Sequence, residues 1–141
     1  MEMNFERFCD NYFDLKVKQK RIGDFLEDTL PVVRDLSFAK EHKVFYPKGL
    51  FTDEELSLFF LTDTNVNRVS VYETGLEIQT WSLEEISSVK LVIPDRYDAG
   101  LEIHLRSGEQ ISFDNKKDTN NTWSTRFRDD IKFFYKSLTD N

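Results

Sequence analysis

The stretches RVSVYETGLEIQTWSLEEISSVKLV (residues 68–92) and GLEIHLRSGEQISF (residues 100–113) decide the fold. In both stretches a glycine interrupts short runs in which apolar and polar residues alternate, the pattern of half-buried antiparallel strands joined by tight turns. The predicted strands are Leu56–Thr62, Asn67–Glu73, Leu76–Ser82, Ser87–Ile93, Leu101–Arg106 and Glu109–Asp114. The segment Val44–Tyr46, directly before Pro47, is a candidate for a seventh strand at a sheet edge.

The first glycine predicts the register of one hairpin. Because a slip of one residue turns every side chain to the opposite face, apolar residues face each other only across a loop of suitable length. A two-residue loop at Thr74–Gly75, with Gly75 at positive φ, satisfies this condition. The resulting register directs Ile78 toward the core and Trp81 toward solvent, where Trp81 lies directly opposite Arg68.

The second glycine predicts the register of another hairpin. Ile103 lies opposite Ile111 if Arg106–Gly108 forms a three-residue loop, and Gly108 then takes the left-handed position that such loops require. Both predicted turns therefore hold a glycine where the register needs one. Consecutive hairpins of this kind predict an antiparallel meander.

An amphipathic helix is predicted at the C-terminal end of the chain. Asn121 or Thr122 is suited to cap it, and apolar residues then recur at intervals of three and four. The apolar residues of this stripe are Trp123, Phe127, Ile131, Phe134 and Leu138. Because the stripe has to be covered, we expect the helix to close the open end of the sheet.

Helices are also predicted before the strands. Asn4 can cap a first helix, and Pro31 either ends a second one or opens another turn. Thr52–Glu55 has the spacing of a capping box, which predicts one helical turn. The apolar positions are Phe5, Phe8, Cys9, Tyr12 and Phe13 in the first helix and Phe25, Leu26 and Leu30 in the second. Residues 1–50 are thus predicted to be a helical extension packed on a core of residues 51–141, in a single folding unit.

The two quoted stretches resemble bacterial pleckstrin-homology-like (PH-like) and GRAM-like domains. They share the order strand, glycine turn, strand, Leu-x-x-Ile-x-x-Val, strand, glycine turn, strand, with Leu83, Ile86 and Val89 at the middle spacing. The resemblance covers about residues 52–140. It implies an α+β fold, a PH-like antiparallel β-barrel or two-sheet meander of six to seven strands closed by the C-terminal helix. More loosely, the whole chain resembles uncharacterised small proteins of Gram-positive bacteria and their phages, which implies a phage- or prophage-related accessory protein.

Charge argues against the ligand first associated with PH domains. Phosphoinositide-binding members carry basic residues around the first strand-to-strand loop, whereas the matching loop, Asp63–Asn67, is acidic or neutral. The net charge of −7 also disfavours nucleic acid and anionic membranes, which are bound through positive charge. The basic cluster Lys16–Arg21 fits the solvated C-terminal end of the first helix, and a partner-binding patch is the alternative. The family also binds peptides along a sheet edge or beside the C-terminal helix, which implies a protein partner.

The composition predicts a cytoplasmic protein. The chain has one cysteine, Cys9, so no intramolecular disulfide forms, which is usual in reducing compartments. No apolar run reaches the roughly 18 residues of a membrane span, and the first residues lack the pattern of a signal peptide. Oligomeric state stays open, and a homo-oligomer is among the alternatives.

The residues that carry out catalysis or bind metals are scarce. Cys9 falls on the apolar stripe of a helix, where a buried and inert thiol is expected. His42 and His104 have no other metal-ligand type at ligand spacing, and no phosphate-binding or nucleophile motif occurs. We therefore predict no catalytic residue, no metal, no cofactor and no enzymatic activity.

The predicted function is a non-enzymatic protein-interaction module. Arg68, Tyr72 and Trp81 are candidate interaction residues on one sheet face, since these residue types dominate binding hot spots. Arg96 and Tyr97 are candidates in the loop at residues 94–100, which is longer than a hairpin requires. The alternative is a small-ligand carrier with a pocket between the barrel and the N-terminal helices. The simpler structural interpretations are a cation–π pair between Arg68 and Trp81 and a plain surface loop.

Overall fold

The computed structural model describes residues 4–10, 29–72 and 75–140. Within these ranges the strands form two antiparallel sheets, of four and three strands. The first sheet consists of β1 (Val44–Lys48), β2 (Leu56–Leu61), β3 (Asn65–Tyr72) and β4 (Gly75–Ser82), and the second of β5 (Ile86–Asp95), β6 (Asp98–Leu105) and β7 (Gln110–Asp114). The helices with defined bounds are α1 (Phe5–Asp10), α2 (Ser37–Glu41) and α3 (Ser124–Thr139), and residues 29–34 are also helical.

The α+β prediction and the two-sheet form of the meander are confirmed, including the seventh strand, β1. The closed barrel is wrong, because β4 and β5 do not pair and the sheets remain separate layers. A short 3-10 helix, Leu83–Glu85, turns the chain from one sheet to the other, and the Ser82 hydroxyl accepts a hydrogen bond from the Glu84 N–H there. None of the helices in the described ranges has the length and apolar character needed to cross a membrane.

The inner face of the first sheet packs on the second sheet and on α3. Tyr46 lies at the centre, with its ring centroid 4.2 Å from that of Phe113 and 5.0 Å from that of Phe127. Phe59 meets Phe113 edge-on at 4.9 Å. The fully buried residues of α3 are Phe127, Ile131 and Phe134. The predicted apolar stripe of the C-terminal helix is thus confirmed, and α3 seals one end of the sandwich.

The predicted caps of the C-terminal helix, Asn121 and Thr122, are wrong. The Trp123 N–H instead donates to the Asn120 side chain at 3.1 Å and to the Asn120 carbonyl, one turn before α3 begins at Ser124. Residues 121–123 form a turn that precedes the helix. The N-cap position of α3 is Trp123, whose side chain forms no capping hydrogen bond, so the helix begins without the polar cap that the pattern predicted.

The outer face of the first sheet is covered by N-terminal residues. Phe5 and Phe8 of α1 pack on Phe45, and Phe38 of α2 packs on Phe60. Strand β2 is therefore covered on both faces, which explains its nearly continuous apolar sequence. The Asn4 cap is confirmed by a 2.8 Å hydrogen bond from the Arg7 N–H.

The chain remains helical past Pro31, to residue 34, and Leu30 is buried. Pro31 therefore lies within a helical segment and does not end it. The other apolar positions predicted for the N-terminal helices lie outside the described residues, as does the basic cluster. These positions are Tyr12, Phe13, Lys16–Arg21, Phe25 and Leu26.

The second predicted hairpin is confirmed in full. Ile103 pairs with Ile111, and Gly108 has φ +93°. The Leu105 N–H donates to the Glu109 carbonyl at 2.9 Å, which closes the three-residue loop. The prediction succeeded because β6 and β7 bury one face and expose the other, so that only one register satisfies the alternation.

The register predicted for the first hairpin is wrong by two residues. Tyr72 pairs with Gly75, which begins β4 and does not have a positive φ. Arg68 consequently pairs with Gln79 instead of Trp81. A shift of two residues leaves each side chain on the same face, so the alternating pattern cannot distinguish the two registers.

The predicted orientation of β4 is also wrong. Trp81 is 7% exposed and lies on the inner face, whereas Ile78 is 43% exposed on the outer face. Because the first sheet has apolar residues on both faces, alternation along β4 does not reveal which face is directed inward. The inner face of the sheet is thus the one that carries Arg68, Gln79 and Trp81.

The helical turn predicted at residues 52–55 is wrong. The Thr52 hydroxyl accepts from the Glu54 N–H at 3.1 Å, but it also donates to the Gly49 carbonyl at 2.7 Å. Gly49 and Phe51 both have positive φ, +93° and +64°. Positive φ is not a helical conformation, so the chain turns sharply at these two residues. Residues 52–55 then connect this turn to β2 without forming a helix.

Candidate functional site

An open cavity of about 730 Å³ lies between β7 and the inner face of the first sheet. Its floor is formed by Ser57, Phe59 and Arg68, and β7 forms one wall. We call this cavity the edge groove. The complete lining is Lys48, Gly49, Thr52, Asp53, Glu54, Glu55, Ser57, Phe59, Arg68, Gln110, Ile111, Ser112, Lys116, Lys117, Asp118 and Thr119.

The wall of the edge groove is a free strand edge, because β7 pairs only with β6. The hydrogen bond from the Leu105 N–H to the Glu109 carbonyl identifies a pair in which the two strands exchange backbone hydrogen bonds. Such pairs alternate along an antiparallel ladder. The backbone groups of Gln110, Ser112 and Asp114 therefore point away from β6, toward the groove.

Part of this edge is already covered. The Asp114 N–H donates to the Asp118 carboxylate at 2.7 Å, and the Asp118 N–H donates to the Asp114 carbonyl at 2.9 Å. The Lys48 ammonium donates to the Ser112 carbonyl. Among the described residues, nothing pairs with the backbone of Gln110 or with the Ser112 N–H. The first half of β7 thus offers unpaired backbone groups to the groove.

Asp118 closes one end of the groove and ties the two sheets together. Its buried carboxylate accepts a 2.6 Å hydrogen bond from the Tyr46 hydroxyl, and its carbonyl accepts from the Gly49 N–H at 2.7 Å. Burial raises the pKa of the Asp118 carboxyl, and the hydrogen bond from Tyr46 opposes this effect. Burial also raises the pKa of the Tyr46 hydroxyl well above its usual value.

Arg68 lies on the floor of the groove with neutral neighbours. One terminal nitrogen donates to the Gln79 amide oxygen at 2.8 Å, and the guanidinium carbon lies 5.1 Å from the Trp81 ring centroid. The predicted cation–π contact is thus confirmed, although the two residues are diagonal neighbours. Arg68 Nε and Trp81 Nε1 are buried without hydrogen-bond partners. In the part of the chain that the structure describes, Arg68 forms no ion pair.

Charged residues of both signs surround the groove. Asp53, Glu54 and Glu55 are exposed and follow one another in the loop before β2. Lys116 and Lys117 follow β7, and the Lys116 ammonium lies 2.8 Å from the Asp98 carboxylate. This ammonium lowers the pKa of Asp98. The groove therefore has an acidic loop on the side of the first sheet and basic residues beside β7.

Of the predicted interaction residues, Arg68 alone is part of the groove lining, while Trp81 is buried beside it. Tyr72 is half-buried, and its hydroxyl donates to Glu77 at 3.3 Å. The long loop predicted at residues 94–100 is wrong, because β5 extends to Asp95 and β6 begins at Asp98. Arg96 and Tyr97 form the tip of this hairpin, where the guanidinium is 4.8 Å from the Tyr97 ring centroid and bonds its hydroxyl. Tyr97 is 59% exposed. The structure thus does not bring the five residues together.

The backbone of Gln110 and Ser112 was missed by sequence reasoning. Both residues are ordinary polar positions of an alternating strand, and their side chains bond each other at 2.8 Å. Their importance comes from the place of β7 at the edge of its sheet. The sequence feature that could have indicated this edge is the position of β7 as the last strand of a meander. Such a strand has a neighbour on one side only, so its other edge is unpaired.

The described ranges contain no group of three His, Cys, Asp or Glu residues that could hold a metal ion. His42 packs against Phe5 and Phe60, and its Nδ1 lies 2.8 Å from the Ala39 carbonyl. His104 is near Glu102 on the outside of the second sheet, with 3.8 Å between the nearest atoms. These contacts account for both histidines without a catalytic partner.

Cys9 is expected to be unreactive in the folded protein. It is 7% exposed, as predicted, and burial raises the pKa of its thiol to about 11, against the influence of Arg34. Relative to the ordinary value of 9.0, this shift lowers the thiolate fraction at neutral pH by about 100-fold. We expect alkylation by iodoacetamide at pH 8 to be slower than that of glutathione by at least this factor. Equal rates in the native protein and in concentrated guanidinium would contradict the prediction.

Two smaller cavities are also lined by described residues. One, of about 480 Å³, is open and lies against the second sheet at Gly100 and Pro94. It adjoins the edge groove, with which it shares Lys48, Ser112, Lys116, Lys117 and Asp118. Another, of about 150 Å³, lies between Asn4, Phe45 and Phe133, where α1, β1 and α3 meet. Typical small-molecule sites measure roughly 300–1,000 Å³. The described part of the boundary between the N-terminal helices and the sheet therefore contains a cavity smaller than such a site.

Comparison with known proteins places the chain among sequences without an assigned role. Residues 9–129 match the model of a family described as "Protein of unknown function (DUF3908)". The match covers most of the chain, including every strand and the start of the C-terminal helix. A search of curated proteins found no match. Function therefore has to be inferred from the geometry of the edge groove.

Proposed function

We propose that this chain, which belongs to the DUF3908 family, is a non-enzymatic interaction module that binds an extended segment of a protein partner in the edge groove. The observation that carries the proposal is the free edge of β7, where Gln110 and the Ser112 N–H have no backbone partner among the described residues. A peptide strand added to such an edge gains main-chain hydrogen bonds, and its alternate side chains enter the groove.

The proposal includes a PH-like fold and a phage- or prophage-related accessory role. Support for the PH-like fold comes from sheets of four and three antiparallel strands followed by α3, together with the Leu83, Ile86 and Val89 spacing. The accessory role is supported by the loose resemblance of the whole chain to small phage proteins. The single Cys9 supports a cytoplasmic location.

The length and charge of the groove fit a short polar segment. β7 has five residues, which span about 17 Å, so four to five residues of a partner can lie beside it. The net charge of −7 disfavours nucleic acid and anionic lipid as ligands. Residues of opposite charge on the two sides of the groove give a bound segment a preferred direction.

The proposal is tested with peptides selected from a random display library on the full-length protein. In the ¹⁵N-labelled protein, the amide resonances of Gln110 and Ser112 are expected to shift and to become protected from exchange when a selected peptide binds. Ser112→Pro removes the outward N–H and puts a proline ring in its place. The peptide then loses a hydrogen bond and cannot lie as close to β7, so binding is expected to weaken at least about tenfold. Ser112→Ala keeps the N–H and is the matched control, for which unchanged affinity is expected.

Two results would overturn the proposal. One is a set of selected peptides that bind equally well to Ser112→Pro and leave the amides of Gln110 and Ser112 unchanged. The other is the failure of every library peptide to bind, together with a small molecule retained in native mass spectrometry. The second result would instead support the alternative function, a small-ligand carrier.

A further inference from the structure

We propose that Arg68 is a carboxylate subsite of the edge groove, which selects partner segments with an aspartate or glutamate side chain above it. This inference rests on the proposed function, because the segment is held by the edge of β7. It goes further by naming the chemistry that the groove recognises. Two independent observations carry it, the unpaired charge of Arg68 and its position relative to β7.

The first observation is the charge of Arg68. The side chain is half-buried, and its nearest partners are the neutral Gln79 amide and the Trp81 ring. Removing a guanidinium from water is costly unless an opposite charge accepts its hydrogen bonds. Within the described ranges no carboxylate does so, and Nε has no hydrogen-bond partner at all. Arg68 thus places on the floor of the groove a cation that no carboxylate of the described residues neutralises.

The second observation is the relation of Arg68 to β7. Both contribute to the lining of the same cavity, Arg68 as floor and Gln110–Ser112 as wall. A strand added to β7 would lie about 4.8 Å from it and would direct every second side chain toward the floor. A side chain that ends in a carboxylate can then reach Arg68, and carboxylates accept two hydrogen bonds from a guanidinium in a planar arrangement.

The charges around Arg68 limit the number of acidic residues. Lys48 and Lys117 lie beside β7 and favour a negative group on that side, whereas the charge of Lys116 is already balanced by Asp98. The exposed acids of residues 53–55 repel further negative charge at the loop before β2. We therefore expect one acidic residue at a fixed position in the bound segment, and not an acidic run.

The test uses peptides obtained from the library selection, synthesised with amidated C-termini. For each peptide a partner is made in which the acidic residue is replaced by its amide, Glu→Gln or Asp→Asn. We expect this replacement to weaken binding to the wild-type protein by about 10-fold to 100-fold, as measured by calorimetry. In Arg68→Gln the two peptides should bind with equal affinity, and in Arg68→Lys the difference should be intermediate. A peptide with a free C-terminal carboxylate should bind with the same affinity as the amidated peptide, because Arg68 binds a side-chain carboxylate.

Controls separate this inference from the proposed function. Arg96→Gln removes an exposed arginine outside the groove and should leave the preference for the acidic peptide unchanged. Thermal unfolding of Arg68→Gln verifies that the variant is folded. The inference is overturned if peptides shift the amides of Gln110 and Ser112 but show the same acid preference in the wild type and in Arg68→Gln, an outcome that leaves the proposed function intact. If no peptide binds to β7, both are overturned.

Discussion

Replacing Gly49 with alanine is expected to destabilise the protein by about 2–5 kcal/mol, the sum of a strained backbone and a steric clash. Gly49 has φ +93°, a conformation that residues with a Cβ rarely adopt. A Cβ on this residue would lie 2.2 Å from the Glu55 carbonyl oxygen, which belongs to the backbone and cannot move alone. The Gly49 N–H also donates to the Asp118 carbonyl, so any shift would disturb the contact between the two sheets.

Two other glycines provide matched controls for Gly49→Ala. Gly108 has the same φ, +93°, but a Cβ there meets nothing within 4 Å, so Gly108→Ala tests the backbone strain alone, about 1–2 kcal/mol. Gly75 has neither a positive φ nor a close neighbour, and Gly75→Ala should change stability by less than about 1 kcal/mol. Urea denaturation measures the loss of stability in each variant, and we expect the largest loss in Gly49→Ala and the smallest in Gly75→Ala. Equal losses for Gly49→Ala and Gly108→Ala would show that the contact with Glu55 is unimportant.

The second large effect is expected for Asp118→Ala, which should cost about 3 kcal/mol. The substitution leaves the buried Tyr46 hydroxyl and the Asp114 N–H without their acceptor, and each unsatisfied group costs about 1–3 kcal/mol. Removal of a buried charge recovers part of this loss. Asp118→Asn retains an oxygen for both donors and should stay within about 1 kcal/mol of the wild type. Equal losses in the two variants would rule out the hydrogen bonds as the cause.

The same residue predicts a pH dependence. Burial raises the pKa of Asp118 above its ordinary value of 3.8, so the folded state holds this proton more tightly than the unfolded state does. The resulting stabilisation is complete below pH 3.8 and is lost as the pH rises through the folded pKa. The stability of the wild type relative to D118N should therefore fall as the pH increases from about 4.

Tyr46→Phe sharpens this test. Burial and the charge of Asp114 raise the pKa of Asp118, whereas hydrogen bonds from the Tyr46 hydroxyl and the Asp114 N–H and the charge of Lys48 lower it. Loss of the hydroxyl should move the titration of Asp118 to higher pH, which unfolding curves measured in Tyr46→Phe from acidic to neutral pH would reveal. The same relative pH profile in Tyr46→Phe and the wild type would indicate that the hydroxyl does not affect the carboxyl.

Alternation of apolar and polar residues correctly predicted the strands that have one buried face and one exposed face. In β6, Leu101 and Ile103 are buried and Glu102 is more exposed, so position and register follow from the alternation. In β4 the alternation was just as regular, but both faces of the sheet are apolar, and Trp81 was assigned to the wrong side. The helices α1 and α2 cover the outer face at β1 and β2 but leave Ile78 of β4 exposed, and no pattern within β4 records where that cover ends.

The candidate site could be predicted in part. Arg68 was identified from its residue type, but its place on the floor of a groove depends on contacts between distant parts of the chain. Tyr46 and Asp118, which hold one end of the groove, are 72 residues apart in sequence. The unpaired backbone of Gln110 has no side-chain signal of any kind. Such features arise from the way the two sheets meet, which a single sequence does not specify locally.

The position of Lys48 bears on how this protein behaves at high concentration. A bare strand edge can join the same edge of another copy, which leads to aggregation. Here the Lys48 ammonium occupies the Ser112 carbonyl, in the middle of β7. Two approaching copies would each bring this charge to the shared edge and repel one another. A flexible lysine can still withdraw when a better-matched chain arrives, so the edge can be protected against self-association without being permanently blocked.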